Sequence, residues 1–93
     1  MNTPSAVIFT HIIKRDGGIK PFDASKIAQA LERAAQVSGE FDAAEAARLT
    51  QYLVVPKIKV QGHVAPHIEQ IQDAVEAALF DAGYPKTLRA YIV

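Results

Sequence analysis

Apolar residues recur along this chain with two different periods, and the change of period divides it into elements. From Val7 to Lys14 the sequence is β-branched and aromatic, the mark of a strand. Asp16-Gly17-Gly18 turns the chain, and Ile19 to Phe22 returns it as a short second strand. Alternation along the first strand sets Ile12 and Lys14 on one face and Ile13 and Arg15 on the other. The period then becomes that of a helix. Ile27, Ala30, Leu31 and Ala34 share a face, Asp23 stands where an N-cap belongs, and Gly39 stops the element. Phe22 before the cap and Ile27 in the first turns form a hydrophobic-staple pair.

A second helix begins at Asp42, with Glu45 placed as in a capping box, and Ala46, Leu49 and Leu53 form its apolar stripe. Pro56 ends or kinks it. Lys57 to Val60 suit either a broken helix or extended chain. Gly62 marks another break, and His63 to Ala65 are expected as a third short strand before Pro66. A third helix runs from His67 to Ala82, with Ile68, Ile71, Val75 and Leu79 on its buried side and Gly83 at its end. Pro85 opens a last helix carrying Leu88, Tyr91 and Ile92. That helix is still apolar and uncapped at Val93, which points to a domain cut from a longer chain.

With 93 residues there is room for one core, and 49% apolar with 22% charged residues is ordinary for a globular domain. A formal net charge of zero argues against a general nucleic-acid binder, which carries a basic excess. The absence of cysteine excludes a disulfide framework and a zinc knuckle. No apolar run approaches the roughly 18 residues of a membrane span. Val7-Ile8-Phe9 is too short for a signal peptide and lacks its basic lead-in. The expected compartment is the cytoplasm.

Against that neutral background, three cations gather around one turn and one helix start. Lys14 and Arg15 precede Asp16-Gly17, and Lys26 occupies the third position of the first helix. The helix backbone favours Asp or Glu there, so a cation costs about 0.3–1 kcal/mol unless an anion joins it. Basic groups beside free helix amides suit a phosphate, and the cluster reads as a nucleotide-phosphate cradle. The plainer alternatives are a solvated surface lysine for Lys26 and, for Arg15, an ion pair with Asp16 or Glu32. The chain has no Gly-x-x-x-x-Gly-Lys-Ser/Thr, so it lacks the lysine and the magnesium-binding hydroxyl of phosphoryl transfer. Binding without chemistry is the expectation. His11, His63 and His67 lack the spacing of a metal motif, Asp73 and Glu76 suit a solvated face, and no Ser or Cys nucleophile motif is present. No catalytic residue and no protein-held metal is expected.

With these residues in hand, the chain resembles the ATP-cone domain. The resemblance rests on an ordered set: Lys14-Arg15-Asp16-Gly17, Phe22-Asp23, Lys26-Ile27, Ile71-Gln72-Asp73-Ala74-Val75-Glu76, Gly83-Tyr84 and Ala90-Tyr91-Ile92. It covers about residues 7–93, leaving 1–6 as a flexible lead. It implies an α+β fold in which about four helices are capped by a small three-stranded sheet. It implies a pocket between sheet and helices that takes ATP or dATP, with Mg2+ accompanying the nucleotide. Such domains sit mostly at the start of ribonucleotide reductase chains, the anaerobic ribonucleoside-triphosphate enzymes among them. There ATP permits deoxyribonucleotide synthesis and dATP halts it, usually through quaternary change. The implied partners are adenine nucleotides, the catalytic core of a reductase chain and further copies of the cone, with no membrane and no direct nucleic acid.

The resemblance also implies roles. Lys14, Arg15 and Lys26 would hold phosphates, and Ile12 and Ile27 would pack on the adenine or sugar. Lys20, Asp23 and Gln72 would face the base and sugar, with His67 and Glu69 as secondary contacts. Lys20 departs from the pattern, which often has an acidic residue there. Pro56 interrupts a helix that is usually longer, and the sequence stops before a basic residue that commonly follows Ala-Tyr-Ile. Two other readings remain: a degenerate cone acting as a protein–protein oligomerisation module, and the nucleotide sensor of a transcriptional repressor of reductase genes. The repressor cone follows a zinc ribbon, and no cysteine precedes the cone here.

Overall fold

A tight turn at Lys14–Gly18 closes the hairpin that forms one edge of the molecule. In the computed structural model, which describes residues 9–93, β1 (His11–Ile13) and β2 (Ile19–Pro21) pair antiparallel with Ile12 opposite Lys20. The expected lead and the first residues of the strand read from Val7 fall outside the described residues. The Gly17 N–H donates to the Lys14 carbonyl at 2.9 Å, and the Lys14 N–H to the Gly18 carbonyl at 2.7 Å. Gly17 sits at φ 88°, where a side chain would be strained. Asp16 completes the turn by accepting from the Gly18 N–H at 2.8 Å.

The third strand expected at His63–Ala65 does not form. Among the described residues the sheet has two strands, and the return segment contributes one isolated parallel bridge between Ile13 and His67. The reason is Pro66. Its carbonyl accepts from the Ile13 N–H at 2.9 Å, but it has no N–H of its own with which to continue a ladder.

The helices start and stop where local chemistry dictates. α1 (Ala24–Ser38) is capped by Asp23, whose side chain accepts from the Ser25 N–H, and ends at Gly39 in the left-handed conformation. α2 (Ala43–Leu49) is capped by Asp42 through the Glu45 N–H at 3.0 Å. The capping box expected here is only half made, because the Glu45 carboxylate turns to Arg48 and the Tyr84 hydroxyl. α4 (Ile68–Ala82) begins after His67, whose N–H donates to Gln70 Oε1 at 2.9 Å. α5 (Pro85–Ile92) opens on its proline.

Pro56 neither ends the second helix nor leaves extended chain after it. A π-helical turn over Thr50–Val54 joins α2 to α3 (Val55–Gln61), which carries Pro56 in its first turn. Proline removes a donor and clashes with the carbonyl four residues back. The wider turn, in which the Val55 N–H reaches the Thr50 carbonyl, carries the helix past that obstacle. It also shifts the apolar stripe. Leu49, Val54 and Ile58 are fully buried, whereas Leu53, expected in the stripe, is only half-buried.

Four helical rods thus enclose one core, with Leu31, Leu49, Val54, Ile58, Val75 and Leu79 at its centre. α1 packs on α2 and α5, and α4 packs on α3 and α5. A polar junction ties α5 in place: Glu40 accepts from the Thr87 N–H at 2.7 Å and its hydroxyl at 2.8 Å, while Ser38 Oγ lies 2.7 Å from the same hydroxyl.

Candidate functional site

The hairpin, the start of α1, the outer turns of α4 and the end of α5 leave a pocket of about 140 Å³ between them. An apolar cavity of about 150 Å³ holds a benzene ring, so one planar ring fits, and the open side leaves room for what the ring carries. Ile12, Ile27, Ile71 and Val75 supply apolar lining, and Lys20, Asp23, Lys26 and Gln72 supply polar groups. A few polar groups on an otherwise apolar wall are what orient a small ligand.

Each polar group is positioned by backbone chemistry. Lys20 lies on β2 opposite Ile12. Asp23 caps α1, and Lys26 follows in its first turn, which contains no acidic residue. Asp23 Oδ1 accepts both the Ser25 hydroxyl at 2.6 Å and the Ser25 N–H at 3.0 Å. The Ser25 hydroxyl, then its N–H, hold the Asp23 carboxyl below the usual range, and Lys26 adds to this. Asp23 is therefore an anion with one oxygen that no described residue engages. Beside it lie the amides of a helix start and a lysine, a local field that favours an anion.

Of the residues singled out in the sequence, Ile12, Lys20, Asp23, Lys26, Ile27 and Gln72 come together in the pocket lining. Lys14 and Arg15 stand outside it, on the hairpin turn. Lys14 Nζ lies 3.8 Å from Asp16, a loose and exposed pair. Asp16 is lowered first by the Gly18 N–H and then by Lys14. Arg15 pairs with neither Asp16 nor Glu32. Its Nη2 donates to Gln72 Oε1 at 2.9 Å and its Nε to Glu69 Oε2 at 3.3 Å, bridging the hairpin to α4. Glu69 reaches the site only through Arg15, and His67 serves as the N-cap residue of α4. Among the described residues no group of three or more His, Asp and Glu side chains is placed to hold a metal ion.

Tyr91 was missed as a lining residue. It is half-buried at the pocket, and burial, then the Glu76 charge, push its phenol pKa up, so it stays protonated. Its signal in the sequence was a hydroxyl-bearing ring in the otherwise apolar face of α5. Pro21, Phe22, Ala30 and Ile68 also line the wall; in the sequence each carries only a strand, staple or core signal.

Four helical rods and a hairpin closing over a cleft define the class, a small α+β domain with a pocket between hairpin and helices. The chain belongs to the ATP cone domain family, whose profile it matches over residues 10–93. It is 38% identical over 89 residues to the ribonucleoside-diphosphate reductase subunit alpha of Chlamydia pneumoniae, a match covering 88% of this chain and 8% of that protein. It is 37% identical over 82 residues to the anaerobic ribonucleoside-triphosphate reductases of Salmonella typhimurium and Escherichia coli, covering 88% of this chain and 11% of each relative. The chain therefore spans about a tenth of the length of these curated relatives. No helix among the described residues is long and apolar enough to cross a membrane.

Proposed function

We propose that this domain is an allosteric sensor of adenine nucleotides, binding ATP or dATP and controlling the activity of a ribonucleotide reductase. The observation that carries this is the pocket itself. It gathers Ile12, Lys20, Asp23, Lys26, Ile27 and Gln72, from two strands and two helices, around a mainly apolar cleft with an open side. The base enters between Ile12 and Ile27. The phosphates run toward Lys26 and the start of α1, with Lys14 at the turn as a further cation and Mg2+ bound through the phosphates themselves. Asp23, Lys20 and Gln72 meet the polar edges of base and sugar. The effect on the parent enzyme is population shift. ATP and dATP differ by one hydroxyl, and they change activity only as far as they bind two quaternary states unequally.

The test is calorimetric titration of the chain with ATP and dATP in the presence of Mg2+, beside a Lys14→Ala/Lys26→Ala variant. Saturable binding that the variant loses supports the cradle; no heat and no shift in melting temperature for either nucleotide overturns it. A second reading, an oligomerisation module, draws on the exposed apolar side chains Tyr52 and Val60 along α3 and its π turn, and Phe80 on α4. A dimer that forms without nucleotide is its signature.

A further inference from the structure

We infer that Tyr91 is a specificity-determining residue of the pocket, its hydroxyl bonding a neutral atom of the nucleoside, a ring nitrogen or a sugar hydroxyl, rather than a phosphate. This rests on the nucleotide reading of the pocket and extends it to α5. The tyrosines of the chain differ in what their hydroxyls meet. Tyr84 donates to Glu45 at 2.7 Å, and Tyr52 is 63% exposed and open to water. Tyr91 is half-buried, lines the pocket and packs against the core, and no described residue hydrogen-bonds its hydroxyl. Among the described residues that line the pocket, no other carries a hydroxyl. A phenylalanine would make the same apolar contact without drawing an unpaired hydroxyl away from water, which costs free energy.

The course of the helices says which part of the ligand lies there. α1 and α4 both lead away from the hairpin. Phe22, just before α1, donates its N–H to the Thr10 carbonyl at 2.8 Å, and His67, just before α4, bridges to Ile13. Their lining residues run from Asp23 to Ala30 and from Ile68 to Val75, two turns each, about 10 Å at the helical rise. The charged lining groups, Lys20, Asp23 and Lys26, sit at the hairpin end. Tyr91 belongs to the other end. Burial, then the charge of Glu76, raise its phenol pKa, and Glu76 follows Val75 in α4. A carboxylate there repels a phosphate, whereas Lys26 and the start of α1 attract one. The phosphates therefore lie toward the hairpin, and the nucleoside reaches Tyr91. A protonated phenol both donates and accepts, which suits a neutral partner. A site built to bond such an atom rejects an analogue that lacks it, a means of telling apart ligands that differ in one polar group.

The test is an NMR titration of ATP, dATP, AMP and adenosine into the native chain and Tyr91→Phe, with thermal unfolding of both chains before ligand is added. The role predicts that Tyr91→Phe weakens ATP, and each shorter ligand down to the shortest that binds, by a common factor. That factor is about two- to tenfold, the value of one net hydrogen bond. The ligand-free melting temperature does not fall, because the hydroxyl has no partner within the chain to lose. The dATP arm names the atom: a loss absent from dATP assigns the ribose 2′-hydroxyl, and a loss shared by dATP assigns another atom of the nucleoside. The inference is overturned if Tyr91→Phe binds ATP as the native chain does, or if the loss disappears as phosphates are removed from the ligand. A clear drop in the ligand-free melting temperature also overturns it, since the hydroxyl then serves the fold. A native chain that binds none of these ligands overturns the nucleotide reading and this role together. ATP binding with any of the contrary results overturns the role alone.

Discussion

Two corners of this domain use the same kinds of polar residue and differ in whether those residues find partners within the chain. Where α1, α2 and α5 meet, Thr87 is fully buried and bonded to Glu40 and Ser38, and Glu45 takes both arms of Arg48 at 2.6 and 2.8 Å plus the Tyr84 hydroxyl at 2.7 Å. Around the pocket, by contrast, no ion pair or side-chain hydrogen bond from a described residue engages Lys20 or Lys26. Asp23 directs both its bonds to one oxygen. The first corner is matched internally and holds the fold. The second has unmatched charge beside a cavity, which is the condition for holding something else. Side chains at the matched corner should govern stability and leave binding alone; those at the pocket should do the reverse.

The largest expected effect lies on the binding side. Lys14→Ala/Lys26→Ala should weaken ATP by about a hundredfold or more, since hydrogen bonds to charged groups contribute about 1.5–3 kcal/mol each. Its melting temperature should stay within a degree or so of the native value, and a large drop in both would erase the contrast. Next is Thr87→Val, which keeps the shape of a buried side chain and removes its hydroxyl. Leaving Glu40 and Ser38 without that partner should cost about 1–3 kcal/mol. For a domain of this size that corresponds to a loss of about 4–8 °C per kcal/mol, read by thermal unfolding with ATP affinity unchanged.

Asp23→Asn separates two roles of one residue. Asparagine caps a helix about as well as aspartate, so α1 should remain intact by circular dichroism. The pocket loses its anion, and ATP affinity should fall by about three- to tenfold in titration. The smallest effect concerns acid. Hydrogen bonds from Arg48 and then Tyr84 lower the Glu45 carboxyl to about 2 from an ordinary 4.5. A carboxyl depressed in the folded state stabilises above its unfolded pKa and loses that contribution as pH falls. Melting temperature should therefore be level above about pH 5 and decline between about 4.5 and 2, and Glu45→Gln should flatten that limb.

What the sequence made legible is local. Asp23 and Asp42 as caps, Gly39 and Gly83 as stops and Pro85 as a first-turn residue are read from neighbours within a few positions, and all form. Of the pocket lining, alternation sets Ile12 on the face of β1 shared with Lys14 and the cap at Asp23 sets Lys26 in the first turn of α1, whereas Lys20 and Gln72 are pointed to only by the family resemblance. The errors belong to contacts between distant segments. The spacing has Glu45 close its own helix start, but Tyr84, between α4 and α5, donates its hydroxyl to one of the Glu45 oxygens. Arg15 could be given partners only among near neighbours and one helix, whereas its true partners lie more than fifty residues away. The third strand failed on a single missing N–H at Pro66, which the pattern of apolar residues does not register.

The π turn at Thr50–Val54 has a consequence for comparing this chain with its relatives. One residue advances an α-helix by about 100°, so the extra residue in the wide turn changes the phase of everything after it. Before the turn the apolar buried positions are Ala46 and Leu49, and after it Val54 and Ile58, a step of five between apolar side chains that the buried Thr50 fills with its hydroxyl on the Ala46 carbonyl. The stripe is in effect recorded in two reading frames. A relative whose helix runs evenly through this region should align with a one-residue gap between positions 49 and 54, and should have no proline where Pro56 stands.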